Sequence, residues 1–150
     1  MSIKRFIPLL AALCAALLVA AVAVAALPGK AQYSGQTSDN STIRLRLSGN
    51  GKRVAKLRVY YKVTCSDGHS HTTYTDVLNL RLGRGGKFAG KGSYIGSGDG
   101  SKNSFKVAGA VTTKKAKGSF ALTASGKDPT TGSAVNCKTG SLTWSAARKG

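Results

Sequence analysis

The stretch Val63–Asp76, VTCSDGHSHTTYTD, gathers a cysteine, two aspartates, a tyrosine and both histidines of the chain. On an extended strand His69 and His71 point to one face. The H-x-H pair then offers two nitrogen ligands to copper or zinc, and Asp67 or Asp76 could add an oxygen. Three features weigh against an ion. Ser66-Asp67-Gly68 reads as a turn, which leaves His69 at its exit without strand geometry. The sequence has no third histidine. Cys65 leaves the donor set if it forms a disulfide, and tight sites take three or four protein ligands. The stretch reads first as a polar turn between strands, with Asp67, His69 and His71 as residual metal candidates and no cofactor expected.

Covalent and acid–base catalysis have less to work with. No G-x-S-x-G elbow precedes a helix, so a Ser–His–Asp triad would need residues that nothing in the spacing brings together. The acidic residues are Asp39, Asp67, Asp76, Asp99 and Asp128, with no glutamate at all. Most sit in turn-like contexts, where hydrogen bonding to the local backbone accounts for them. A carboxylate pair for hydrolysis would require two of them to converge. The glycines of Gly96–Gly100 have no following helix to present a phosphate-binding N-terminus. The expectation is a protein that is not an enzyme.

The basic strands are the stronger functional signal. Lys and Arg number 23 against five Asp, a formal charge of +18. Such a field favours polyanions: an anionic polymer, an anionic membrane surface or nucleic acid. Arg44 and Arg46 project from one face of their strand, and Lys56, Arg58 and Lys62 share a face of the next, with Tyr60 among them. If these strands form a hairpin, five cations and one aromatic make a single exposed patch. Its arginines would grip phosphate or carboxylate in two-point fashion, its lysines would act as point charges, and Tyr60 would stack on a base or sugar. The plain alternative is a solvated sheet face, charged to discourage edge pairing. Lys114, Lys115 and Lys117 read as a charged turn.

The segment 1–31 has the grammar of an export signal. Lys4 and Arg5 precede a charge-free run over Ile7–Leu27, and Pro28-Gly29 opens the polar sequence. Small residues suit a peptidase either near Ala23-Val24-Ala25 or further on, with Gly29 at −3 and Ala31 at −1 of the cut. The run also approaches the ~20 residues that span a bilayer, so an uncleaved anchor stays open. Lys4 and Arg5 remain inside in both cases. Cys14 follows Leu13 rather than the small residue of a lipoprotein site and reads as apolar filler. Cys65 and Cys137 then remain, and an even pair in an exported domain reads as one disulfide. Closing a loop of about 70 residues contributes on the order of 4 kcal/mol in the chain-entropy treatment. The expected location is secreted or extracytoplasmic and cell-surface associated.

These residues need a scaffold, and the remainder, 32–150, suits one domain. Apolar and polar residues alternate between Gly-rich turns, and no helical period intervenes. Gln32–Thr37 reads as an edge strand and Thr42–Ser48 as a strand with Ile43, Leu45 and Leu47 on one face. Val54 is out of phase with Leu57, Val59, Tyr61, Val63 and Cys65, which predicts a bulge or longer loop near Ala55. Thr72–Leu82 resumes with Leu78, Leu80 and Leu82 in phase. Further strands follow around Phe88–Tyr94, Phe105–Val111, Gly118–Ala124, Ala134–Cys137 and Leu142–Ala146. Trp144 reads as core, packed near the disulfide. The fold class is all-β, a single antiparallel β-sandwich or barrel of roughly seven to nine short strands behind an N-terminal signal helix.

The order YSGQTSDNSTIRLRLSG, a basic strand ending in CSDG, GRGGKFAG, AKGSFALTAS and NC…G…LTWSAARK resembles a group of small exported β-rich proteins of actinobacterial-type bacteria. The resemblance implies an exported β-domain with Cys65 and Cys137 paired, and brings no activity or catalytic residue. The functional expectation is non-enzymatic association with anionic envelope or extracellular material. The alternatives are a structural envelope module with a protein partner, and metal binding through the H-x-H pair.

Overall fold

The computed structural model describes residues 26–150. Most of the expected signal helix, with Lys4, Arg5 and Cys14, lies outside the described residues. Nine antiparallel strands follow: β1 (Gln32–Thr37), β2 (Thr42–Leu47), β3 (Arg53–Cys65), β4 (Ser70–Arg81), β5 (Lys87–Ile95), β6 (Lys102–Val111), β7 (Lys115–Lys127), β8 (Ala134–Lys138) and β9 (Leu142–Arg148). The sheet runs β4-β3-β2-β1-β9-β7-β6-β5, and β8 pairs with both β3 and β7. That double pairing closes β1, β2, β3, β8, β7 and β9 into a six-stranded barrel, from which β4 and the β5–β6 hairpin extend. Of the two architectures open to the sequence, the protein is a barrel. β1 is not an edge strand, since β2 and β9 flank it on both sides.

The barrel closes because one strand face after another is apolar. Ile43, Leu45 and Leu47 of β2 and Leu57, Val59, Tyr61 and Val63 of β3 are buried, as are Phe120 and Leu122 of β7. Tyr61 stacks on Phe120 at 5.2 Å between ring centres, and Phe105 lies 6.4 Å from Phe120. Trp144 is core, but not beside the disulfide. It faces Gly118 across the β7–β9 pair, whereas the disulfide rung meets β7 at Ala124, about 20 Å further along at strand rise. The indole stacks 6.2 Å from Phe88 and lies over two glycines. A Cβ on Gly118 would fall 2.5 Å from Trp144 Cζ2, and one on Gly109 2.9 Å, so this slot admits the ring only without side chains beneath it.

The bulge expected near Ala55 is present. Arg46 pairs with Lys56 but Leu47 with Val54, so Ala55 is extra and both Val54 and Leu57 turn inward. The neighbouring strand changes parity at the same level. Asn79 has φ +60, which sends Val77 inward and leaves Leu78 62% exposed before Leu80 packs against the core. Leu78 is therefore out of phase with Leu80 and Leu82, contrary to the sequence pattern. Arg53 Nη1 donates to Asn79 Oδ1 at 2.9 Å and holds this kink.

The edge strands β4 and β5 meet through side chains. Gly90 leaves room for Leu80, whose Cδ2 would sit 2.5 Å from a Cβ there. Further along, the hydroxyls of Tyr61, Thr75 and Tyr94 form a chain with steps of 2.7 and 2.8 Å. Burial pushes the Tyr61 phenol up, which keeps it a hydroxyl across the ordinary pH range.

Candidate functional site

The β2–β3 pairing assembles the cations that the sequence singles out. Arg44 stands directly opposite Arg58, and Arg46 opposite Lys56, all on the outer face. Tyr60 and Lys62 continue the β3 row on the same face. Like charges directly opposite each other destabilise a strand pair, so this arrangement needs a compensating anion. Part of it comes from Asp76 of β4, the rung beside Arg58. The Arg58 guanidinium donates to both carboxylate oxygens at 2.7 Å, and Lys56 Nζ lies 2.9 Å from Oδ2. These hydrogen bonds, Arg58 first, hold the Asp76 carboxyl below its usual range against the effect of burial. The Arg58 guanidinium also lies 4.3 Å over the Tyr74 ring, which packs 5.4 Å from Tyr60. Asp76 and Tyr74 belong to this face and were not legible as such, because their opposition to Arg58 and Tyr60 depends on the β3–β4 register.

Among the described residues, Arg44, Arg46 and Lys62 have no ion pair. The outer face continues over β1 through Ser34, opposite Arg44, and Gln32, opposite Arg46. The result is an outer barrel face with three unneutralised cations, one guanidinium held by a carboxylate and an aromatic ring, and neutral hydrogen-bonding groups beside them.

Cys65 and Cys137 are directly opposed and joined by a disulfide, 72 residues apart in sequence. A disulfide fits an oxidising, extracytoplasmic setting. The β3–β8 seam has only two paired rungs, Thr64 with Lys138 and Cys65 with Cys137. The Ser66 amide adds a hydrogen bond to the Asn136 carbonyl at 2.8 Å.

Asp67, His69 and His71 lie near this seam, lining a cleft of about 750 Å³. Asp67 is in the β3–β4 turn, its Oδ1 accepting the His69 amide at 3.0 Å, with His69 Nδ1 3.4 Å from Oδ2. His71 is on β4, opposite the inward-facing Val63. Asp76 is committed to Arg58 and Lys56. Among the described residues no three His, Cys, Asp or Glu side chains are grouped to hold a metal ion. No family model matches the chain, and no curated protein is similar to it.

Proposed function

We propose that this protein is an exported, non-catalytic binding domain that associates with an anionic polymer of the envelope or extracellular space through its β2–β3 face. The observation that carries the reading is the pair of like-charge rungs, Arg44 with Arg58 and Arg46 with Lys56, met by a single carboxylate. A regular phosphate, sulfate or carboxylate array supplies the missing countercharge. Two-point hydrogen bonding by Arg44 and Arg46 favours planar or tetrahedral oxyanions over diffuse negative charge. Leu78, 62% exposed beside Lys56, favours a second reading in which an acidic protein docks on the same face.

Heparin and a polyphosphate serve as test polymers for the folded protein. Affinity is expected to fall steeply with salt. The Arg44→Ser/Arg46→Ser variant should lower the slope of log K against log[salt] by about one unit per cation removed. The substitutions relieve repulsion between strands, so folding should be retained. Polymer affinity that is unchanged in this variant, or flat between low and high salt, would overturn the reading. Binding of acidic proteins without polymer binding would favour the second one.

A further inference from the structure

The barrel has a second cationic wall. Tyr61 of β3 and Phe120 of β7 stack across the interior, so the outer faces of these strands look in opposite directions. The arginine face lies on the β3 side. On the other side, strand alternation sends Phe88, Val107 and Phe120 inward and Lys87, Lys91, Lys106 and Lys117 outward. Register gathers these lysines. Lys91 stands directly opposite Lys106, and Lys87 and Lys117 flank Ala110 in one row across three strands, about 10 Å apart at two strand spacings.

None of the five aspartates lies on β5, β6, β7 or β9. Among the described residues the four lysines have no ion pair. The Lys91–Lys106 rung repels itself as the arginine rungs do, but no counterpart of Asp76 answers it. Protection of a sheet edge does not account for these cations. β6 lies between β5 and β7, and β7 between β6 and its partners β8 and β9, so Lys106 and Lys117 stand on interior strands.

Two shallow grooves, of about 580 and 690 Å³, meet on this wall at Gly109 and Ala110. Arg81 and Lys87 border one, and Lys117, Thr143 and Ser145 border the other. Together they make a track across the strands, with cations along it and hydroxyls at one end. Their aromatic residues, Phe88 and Trp144, are buried, so no ring is offered to a base. Ammonium groups set among hydroxyls match the carboxylates or sulfates and the free hydroxyls of an acidic sugar chain.

We infer that this wall is a second polymer site, taking an acidic polysaccharide along the groove, and that the protein thereby bridges two chains. Bridging rests on the proposed β2–β3 site; the second site does not. The two faces point away from each other, so a short oligosaccharide on one cannot reach the other.

The test is calorimetric titration with a heparin hexasaccharide, together with light scattering in long-chain heparin. The parent protein is expected to bind two hexasaccharides and to cluster the long chains. Lys91→Ser/Lys106→Ser should bind one hexasaccharide and lose the clustering, with a urea midpoint no lower than the parent's. Lys52→Ser/Lys114→Ser removes the same charge from connections at the end of the barrel and should keep both sites. A single site in the parent, two sites in the Lys91/Lys106 variant, or an equal loss in the Lys52/Lys114 variant would each overturn the inference. Arg44→Ser/Arg46→Ser is read separately. If it keeps both hexasaccharides while the Lys91/Lys106 variant loses one, the β2–β3 reading fails and the second site stands.

Discussion

Asp76 is the residue on which the outer face turns. One carboxylate braces Arg58 and Lys56, and Arg58 in turn caps Tyr74. Its folded-state pKa is depressed, so in acid the unfolded chain takes up its proton first. The resulting stabilisation is fully present above the ordinary Asp value of about 3.9 and is lost as pH falls through the lower folded-state value. Asp76→Asn is therefore expected to lower stability at neutral pH and to flatten its fall in acid, read from urea unfolding at a series of pH values. An acid limb identical to the parent's would contradict the assignment. Asp39 behaves differently. Burial pushes it up, but hydrogen bonds from the Thr37 hydroxyl and the amides of Lys62 and Ser41 outweigh that and hold it below its usual range. It accepts the Lys62 amide where neither β2 nor β8 reaches, so it fills a gap in the barrel wall. The cation set Arg44, Arg46, Lys56, Arg58 and Lys62 was legible from strand alternation alone. Its partial neutralisation was not, since Asp76 lies 18 positions from Arg58 in sequence and meets it only through register.

At the level of elements, the weakest closure is the β3–β8 seam. Two rungs, one disulfide and the hydrogen bonds of Ser66 and Asn136 join strands that otherwise belong to β2 and β7. Cys65→Ala/Cys137→Ala is expected to cost on the order of 4 kcal/mol in the loop-entropy treatment. Hydrogen exchange should rise first at Ala134–Lys138 and in the Asp128–Ser133 turn, with β1 and β2 still protected. Uniform loss of protection would contradict a local seam. Strand identity was readable where side-chain period is strict, as in β2, and the Ala55 bulge announced itself because Val54 breaks the β3 phase. Leu78 misled because the parity change comes from Asn79, whose positive φ leaves no trace in the hydrophobic pattern. β1 read as an edge because its second neighbour, β9, comes from the far end of the chain, and pairings at that distance are invisible to local period. The cleft was unreadable for the same reason. His69 and His71 share it with Asp99, Asn103 and Asp128, which come from two other hairpins.

For the whole molecule, the folded body begins before β1. Ala31 is buried and its carbonyl accepts the Leu47 amide at 2.9 Å, Lys30 donates to Ser48, and Leu27 packs against the core. A cut after Ala31 would strip these contacts, whereas one after Ala25 spares them. If the proposed export includes cleavage, N-terminal sequencing of the product is expected to start at Ala26, and a start at Gln32 would contradict it. The single tryptophan gives the same body an optical handle. Trp144 is 4% exposed over its glycine slot, and its Nε1 has no hydrogen-bond partner among the described residues. An indole in so dry and unbonded a setting emits at the short-wavelength end of its range. The barrel thus carries its own fluorophore, whose red shift marks the moment water reaches β9.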